Sequence, residues 1–105
     1  KQANTIMKYI ETSKKEGAKL IYGGEKLTEG EFAKGHYIKP TLFEVTPDNT
    51  IFNEEIFGPV LAMTPVKNED EAIKLANKSI YGLAGAVWSK SPERAKKVAK
   101  QLETG

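Results

Sequence analysis

The sequence predicts an α/β fold with a partly parallel sheet and flanking helices. Three observations carry that expectation. The chain opens on an amphipathic helical pattern, an apolar run at residues 60 to 66 leads straight into a capped amphipathic helix, and a second apolar run at 83 to 88 leads into another. Strand, helix, strand and helix in succession imply a right-handed crossover and therefore some parallel pairing.

Ala3, Ile6, Met7 and Ile10 recur at helical spacing among mostly polar residues, and Gly17 offers a stop, so residues 2 to 16 read as a helix with one apolar stripe. Residues 18 to 22 form a short strand closed by Gly23-Gly24, and residues 25 to 35 an exposed loop. Residues 37 to 45 suit a strand, but Pro40 removes a ladder donor and argues for an edge or a bend. Thr46-Pro47-Asp48 marks a turn or helix entry, and a short helical segment within 51 to 57 sets Phe52 and Ile56 on one face.

The second half is more regular. Residues 60 to 66 are strand-like, and Asn68 then caps a helix while Glu71 reaches back toward it. Ala72, Ile73, Leu75 and Ala76 supply that helix's stripe. Leu83 to Trp88 read as another strand, in which aromatics such as Trp88 normally pack, as does nearby Tyr81. Ser91, Pro92 and Glu93 give the last helix a cap, a proline at its first position and an acid at its positive end. Its stripe is Ala95, Val98, Ala99 and Leu102.

A chain of 105 residues has room for one small domain, and folding alone would take only about 60 to 65% of its unfolded surface out of water. Lys and Arg number 16 against 14 Asp and Glu, so net charge names no partner. The lysines scatter over helix faces without forming a stripe, which argues against nucleic acid. With no cysteine there is no disulfide, thiolate nucleophile or thiolate metal site. No apolar run approaches the roughly 18 residues of a membrane span, and no signal-peptide order is present. The expectation is a cytoplasmic protein with no membrane partner. Both ends look cut: Lys1 already lies against a helical pattern and Gly105 stands where a cap leads into a further element.

The chemistry concentrates in the octet Asn53-Glu54-Glu55-Ile56-Phe57-Gly58-Pro59-Val60. Gly58 can take backbone angles closed to other residues, Pro59 fixes its own φ, and Val60 opens the apolar run, so the segment before the break is held against a strand. A carboxylate there can accept two hydrogen bonds from neighbouring hydroxyls, and an aromatic two residues on can pack against a flat ring. Glu55 and Phe57 have that spacing. On spacing alone the competing reading is stronger: Glu54 and Glu55 as a solvated helix face, with Phe52, Ile56 and Phe57 as core.

The octet, however, resembles the Glu-Glu-Ile-Phe-Gly-Pro signature of the NAD(P)-dependent aldehyde dehydrogenases, which reverses those odds. Gly35 to Leu42 is similar to the family's Gly-Tyr-Phe-x-x-Pro-Thr stretch, with His36 where an aromatic is usual, and residues 70 to 89 resemble the segment that follows. The motifs are in family order and span nearly the whole chain.

The resemblance implies a fold that is part of an aldehyde dehydrogenase-like catalytic domain. Residues 1–105 would be a single segment of that incomplete domain, with no separate nucleotide-binding domain. It implies that Glu55 binds the ribose next to the nicotinamide and that Phe57 flanks the nicotinamide, with NAD or NADP as the cofactor of the full-length enzyme. Glu54 receives no ligand role. It implies a small-molecule aldehyde oxidised to a carboxylic acid, and a homodimer or homotetramer for the full-length protein. In the family the nucleophilic cysteine, the general-base glutamate, the oxyanion asparagine and the Gly-rich nucleotide turns all lie upstream of the matched region. This chain therefore supplies no catalytic residue and is expected to be inactive alone. A non-catalytic binding or assembly module derived from the family is the alternative.

Other features are weaker. His36, the sole histidine, lacks neighbours at ligand spacing, so no metal is expected. Gly23-Gly24 and Gly82 to Gly85 fit turns and close packing better than a phosphate cradle.

Overall fold

The first apolar stripe becomes the inner face of helix α1 (Gln2–Lys15) in the computed structural model, which describes all residues from 1 to 105. Ala3, Ile6 and Ile10 are buried on that face, and Ser13 continues it with its hydroxyl donated to the Tyr9 carbonyl at 2.8 Å. The chain divides into two units, Lys1–Thr64 and Pro65–Gly105.

In the first unit, strands β1 (Lys19–Tyr22), β4 (Thr41–Glu44) and β5 (Val60–Met63) form a sheet in the order β1-β4-β5. β1 runs antiparallel to β4, with Leu20 opposite Phe43 and a register irregularity between Leu20 and Tyr22. β4 and β5 are parallel, pairing Thr41 with Val60 through Glu44 with Met63. The sheet is thus partly parallel, as expected, but the parallel pair is β4 with β5. The crossover between them carries the short helix α2 (Thr50–Asn53). Pro40 does bend the chain: the run at 37 to 45 divides into β3 (Tyr37–Ile38) and β4. β3 pairs instead with β2 (Lys26–Leu27) inside the predicted loop, followed by a single 3-10 turn at Gly30–Phe32.

The core joins the inner face of α1 to β4 and α2. Ile6, Ile10, Phe43, Val45 and Ile51 are buried together, with Phe52, Ile56 and Val60 packed around them. Each of the five buried side chains contributes about 1.5 to 3 kcal/mol by leaving water. Phe52 and Ile56 share the inward side even though α2 stops at Asn53. The two glycines after β1 make a turn: Gly23 has φ +76°, a Cβ there would overlap the Pro40 carbonyl oxygen, and the Gly24 N–H is donated to Thr41 Oγ1 at 2.8 Å.

In the second unit, helix α3 (Glu69–Asn77) starts where Asn68 was expected to cap it, with the Glu71 N–H donating to Asn68 Oδ1 at 2.9 Å. Glu71 reaches back one residue further than predicted, accepting from the Lys67 N–H at 3.3 Å. Helix α4 (Pro92–Ala99) begins with Pro92 in its first turn and the Arg94 N–H donated to Ser91 Oγ. Arg94 and Glu69 form an ion pair at 2.7 Å, and Asn77 ties down the chain after α4 by donating to the Gln101 carbonyl and accepting from the Glu103 N–H.

Two expectations for this unit are corrected. Leu83 to Trp88 form no strand here, because no ladder partner lies alongside them, and Trp88 is 93% exposed instead of packed. The predicted stripes of α3 and α4 are at most half-buried, with Ala76 and Ala99 exposed.

Candidate functional site

The octet lies on the crossover from α2 to β5, and α1 holds it. Helical periodicity puts Gln2, Ile6, Tyr9, Ser13 and Glu16 along one side of the first helix and its cap. Four of these five meet the crossover. Glu16 accepts from the Thr50 N–H at 2.8 Å and the Thr50 hydroxyl at 2.6 Å, which fastens the start of α2. Those bonds, the Thr50 hydroxyl first and its N–H second, hold the Glu16 carboxyl below its ordinary range. The Tyr9 hydroxyl donates to Glu54 Oε2 at 2.7 Å, directly after the helix. Gln2 Nε2 donates to the Phe57 carbonyl at 3.2 Å and the Ile56 carbonyl at 3.4 Å. Ile6 packs under Gly58.

Glycine is required at 58 for space, which differs from the conformational reason the sequence suggested. A Cβ on Gly58 would stand 2.5 Å from Cδ1 and 2.7 Å from Cγ1 of the buried Ile6. The unusual backbone falls one residue earlier, on Phe57, whose φ is +55° and which is the one non-glycine residue with positive φ. A bulky side chain in that region costs on the order of 1 to 3 kcal/mol. Phe57 is 79% exposed, so no core packing within this chain repays the strain.

Glu55 is exposed and has no hydrogen-bond or ion-pair partner in this chain. Glu54, given no ligand role from sequence, is occupied by Tyr9. The segment therefore alternates. Glu54 and Ile56 turn toward α1 and the core, while Glu55 and Phe57 turn outward with a free carboxylate and a free ring face. No local pattern points to Tyr9, Gln2 and Glu16, because their partners lie 34 to 55 residues away. His36 is exposed beside β3, where it lines an apolar cleft of about 340 Å³ with Gln2, Ile6, Tyr37 and Pro59.

A chain presenting a carboxylate and a phenyl group on one strained connection of an α/β unit matches the aldehyde dehydrogenase family model over residues 1–105. The chain belongs to the aldehyde dehydrogenase family. It is 49% identical over 105 residues to the chloroplastic betaine aldehyde dehydrogenase of Atriplex hortensis and 45% identical to aldehyde dehydrogenase B of Escherichia coli K12, in each case with 99% of this chain and 20% of the relative covered. Among solved structures, the Mycobacterium tuberculosis aldehyde dehydrogenase complexed with NAD+ superposes with a TM-score of 0.93 at 42% identity, covering 99% of this chain and 21% of that one. The chain thus spans about a fifth of the length of the curated relatives it matches. No helix is long and apolar enough to cross a membrane.

Proposed function

We propose that this chain is a segment of the catalytic domain of an NAD(P)-dependent aldehyde dehydrogenase, in which Glu55 and Phe57 form one wall of the nicotinamide-ribose site. The observation that carries the reading is their joint outward presentation: a carboxylate without a partner and an exposed ring on a left-handed backbone, both pinned by α1. Strain of that kind persists where the surrounding structure over-determines it, and it gathers at ligand-binding positions.

The residues present fit a nucleotide. An ionised carboxylate accepts two hydrogen bonds from adjacent ribose hydroxyls, and a phenyl face packs against a flat heteroaromatic ring. When bound, NAD or NADP supplies the acceptor for the hydride lost by the aldehyde carbon. Glu55 fixes the sugar, Phe57 backs the ring plane and excludes water from that side, and α1 keeps both from relaxing. No cysteine is present to attack an aldehyde, so this segment alone is proposed to be inactive and to contribute binding and orientation only.

The test is Glu55→Gln in the full-length enzyme. A charge-assisted hydrogen bond is worth about 1.5 to 3 kcal/mol, so cofactor affinity or the rate of hydride transfer should fall roughly ten- to a hundredfold. Parent-like affinity and turnover would remove Glu55 from the site.

A further inference from the structure

We propose that Tyr9 is a positioning residue for this cofactor wall: by holding the Glu54 carboxylate against α1, it sets which side of the segment Glu55 and Phe57 face. The inference rests on the reading of Glu55 and Phe57 given above and adds a residue that touches neither of them in that role.

Between the Glu54 N–H, which closes α2 on the Thr50 carbonyl, and the Val60 N–H, the backbone N–H groups of Glu55, Ile56 and Phe57 enter no helix or ladder bond. Regular structure therefore does not fix the direction of these side chains. Glu54 is extended, at φ −120° and ψ 146°, and in extended backbone successive side chains point to opposite sides. Anchoring Glu54 toward α1 consequently turns Glu55 away from it. Ile56 repeats the inward direction by packing on the core, and Phe57 repeats the outward one.

Three contacts from α1 share the task, and they are unequal. Gly58 on Ile6 fixes the end of the segment and says nothing of side-chain direction. The Gln2 amide meets main-chain carbonyls at 3.2 and 3.4 Å, with neutral groups on both sides. The Tyr9 hydroxyl meets an ionisable carboxylate at 2.7 Å on the residue adjoining Glu55. Hydrogen bonds to ionised acceptors are shorter and about twice as strong as neutral ones. Tyr9 is also half-buried in a helix, so its hydroxyl is already placed.

The experiment uses the full-length enzyme and four substitutions: Tyr9→Phe, Glu54→Gln, Glu54→Leu and Glu55→Gln. For each, NAD or NADP, whichever the enzyme turns over, is titrated to obtain its dissociation constant, and kcat, both KM values and the thermal midpoint are recorded. Tyr9→Phe keeps the packed ring and should weaken cofactor binding by roughly three- to tenfold while the aldehyde KM stays unchanged. Glu54→Leu should match it, the Tyr9→Phe/Glu54→Leu pair should be no worse than either single change, and Glu54→Gln, which keeps an acceptor oxygen but loses its charge, should fall between the parent and Glu54→Leu. A purely structural role for Tyr9 would lower the thermal midpoint without moving the cofactor constant. If Tyr9→Phe fails to fold, Glu54→Leu breaks the same bond from the other side. Parent-like cofactor binding in Tyr9→Phe and Glu54→Leu, together with a defect in Glu55→Gln, overturns the positioning role alone. A parent-like Glu55→Gln removes the cofactor wall, and the positioning role with it.

Discussion

Gly58 lies so close to Ile6 that a single added carbon would stand 2.5 Å from the isoleucine Cδ1, and Ile6 is itself only 6% exposed. Relief would require Ile6 to repack, since it is buried with Ile10, Phe43, Val45 and Ile51. Gly58→Ala should therefore destabilise the first unit by about 1 to 3 kcal/mol, the usual range for an overpacked core. Thermal unfolding of parent and variant checks this, and equal midpoints would mean that the crossover can lift off α1 freely. Ile6→Val in the Gly58→Ala background should recover part of the loss by shortening the side chain that is struck.

Phe57 separates backbone strain from ring chemistry. Phe57→Ala and Phe57→Gly both remove the ring, but only glycine is at ease at φ +55°. The glycine variant should be the more stable of the two by about 1 kcal/mol, while both lose cofactor affinity together. Chemical denaturation of the pair decides the first point and cofactor titration the second. An alanine variant as stable as the glycine variant would show that the residue is not held in the left-handed region.

Glu16 gives the fold a dependence on acid. Its carboxyl is held below the ordinary glutamate value of 4.5, chiefly by the Thr50 hydroxyl and then by the Thr50 N–H. A depressed folded value means stabilisation that is complete above the unfolded value and is lost as pH falls through the folded one. Glu16→Gln should thus lower the thermal midpoint at neutral pH, and the gap to the parent should close as acid protonates the parent residue. A gap of constant size across that range would contradict the assignment.

In the second unit, the caps found at Asn68 and Ser91 can be tested independently of any cofactor. Asn68→Ala and Ser91→Ala should each cost about 1 kcal/mol, because the Glu71 and Arg94 N–H groups lose their acceptors. Asn68→Asp should be neutral or stabilising, since it keeps the acceptor and adds negative charge at the helix start. Thermal midpoints of the three variants are the measurement.

These caps also show what was legible in the sequence. Helix starts are written locally: Asn68 with Glu71, and Ser91 with Pro92, announce α3 and α4 within four residues, and the spacing of Ala3, Ile6 and Ile10 announces α1. Pro40 likewise marked the break between β3 and β4. Leu83 to Trp88 failed because an apolar run declares that it can pair but not with what, and a strand exists only beside a partner. The parallel pairing was expected, yet attached to the wrong pair, for the same reason.

At the candidate site the outward residues were visible as a motif, but their support was not. Glu54 and Tyr9 are 45 residues apart, and Gln2 and Phe57 are 55 apart, so no local pattern links either pair. Nor does the sequence tell that the strain sits on Phe57 while Gly58 answers a question of space.

A crystal structure of the full-length enzyme with its nicotinamide nucleotide bound decides whether Glu55 and Phe57 form the cofactor wall. A Glu55 carboxylate oxygen should lie within about 3.2 Å of a hydroxyl on the nicotinamide ribose, with the Phe57 ring against the nicotinamide and Tyr9 still bonded to Glu54. A nucleotide seated with its ribose beyond reach of Glu55 and its ring away from Phe57 would contradict it.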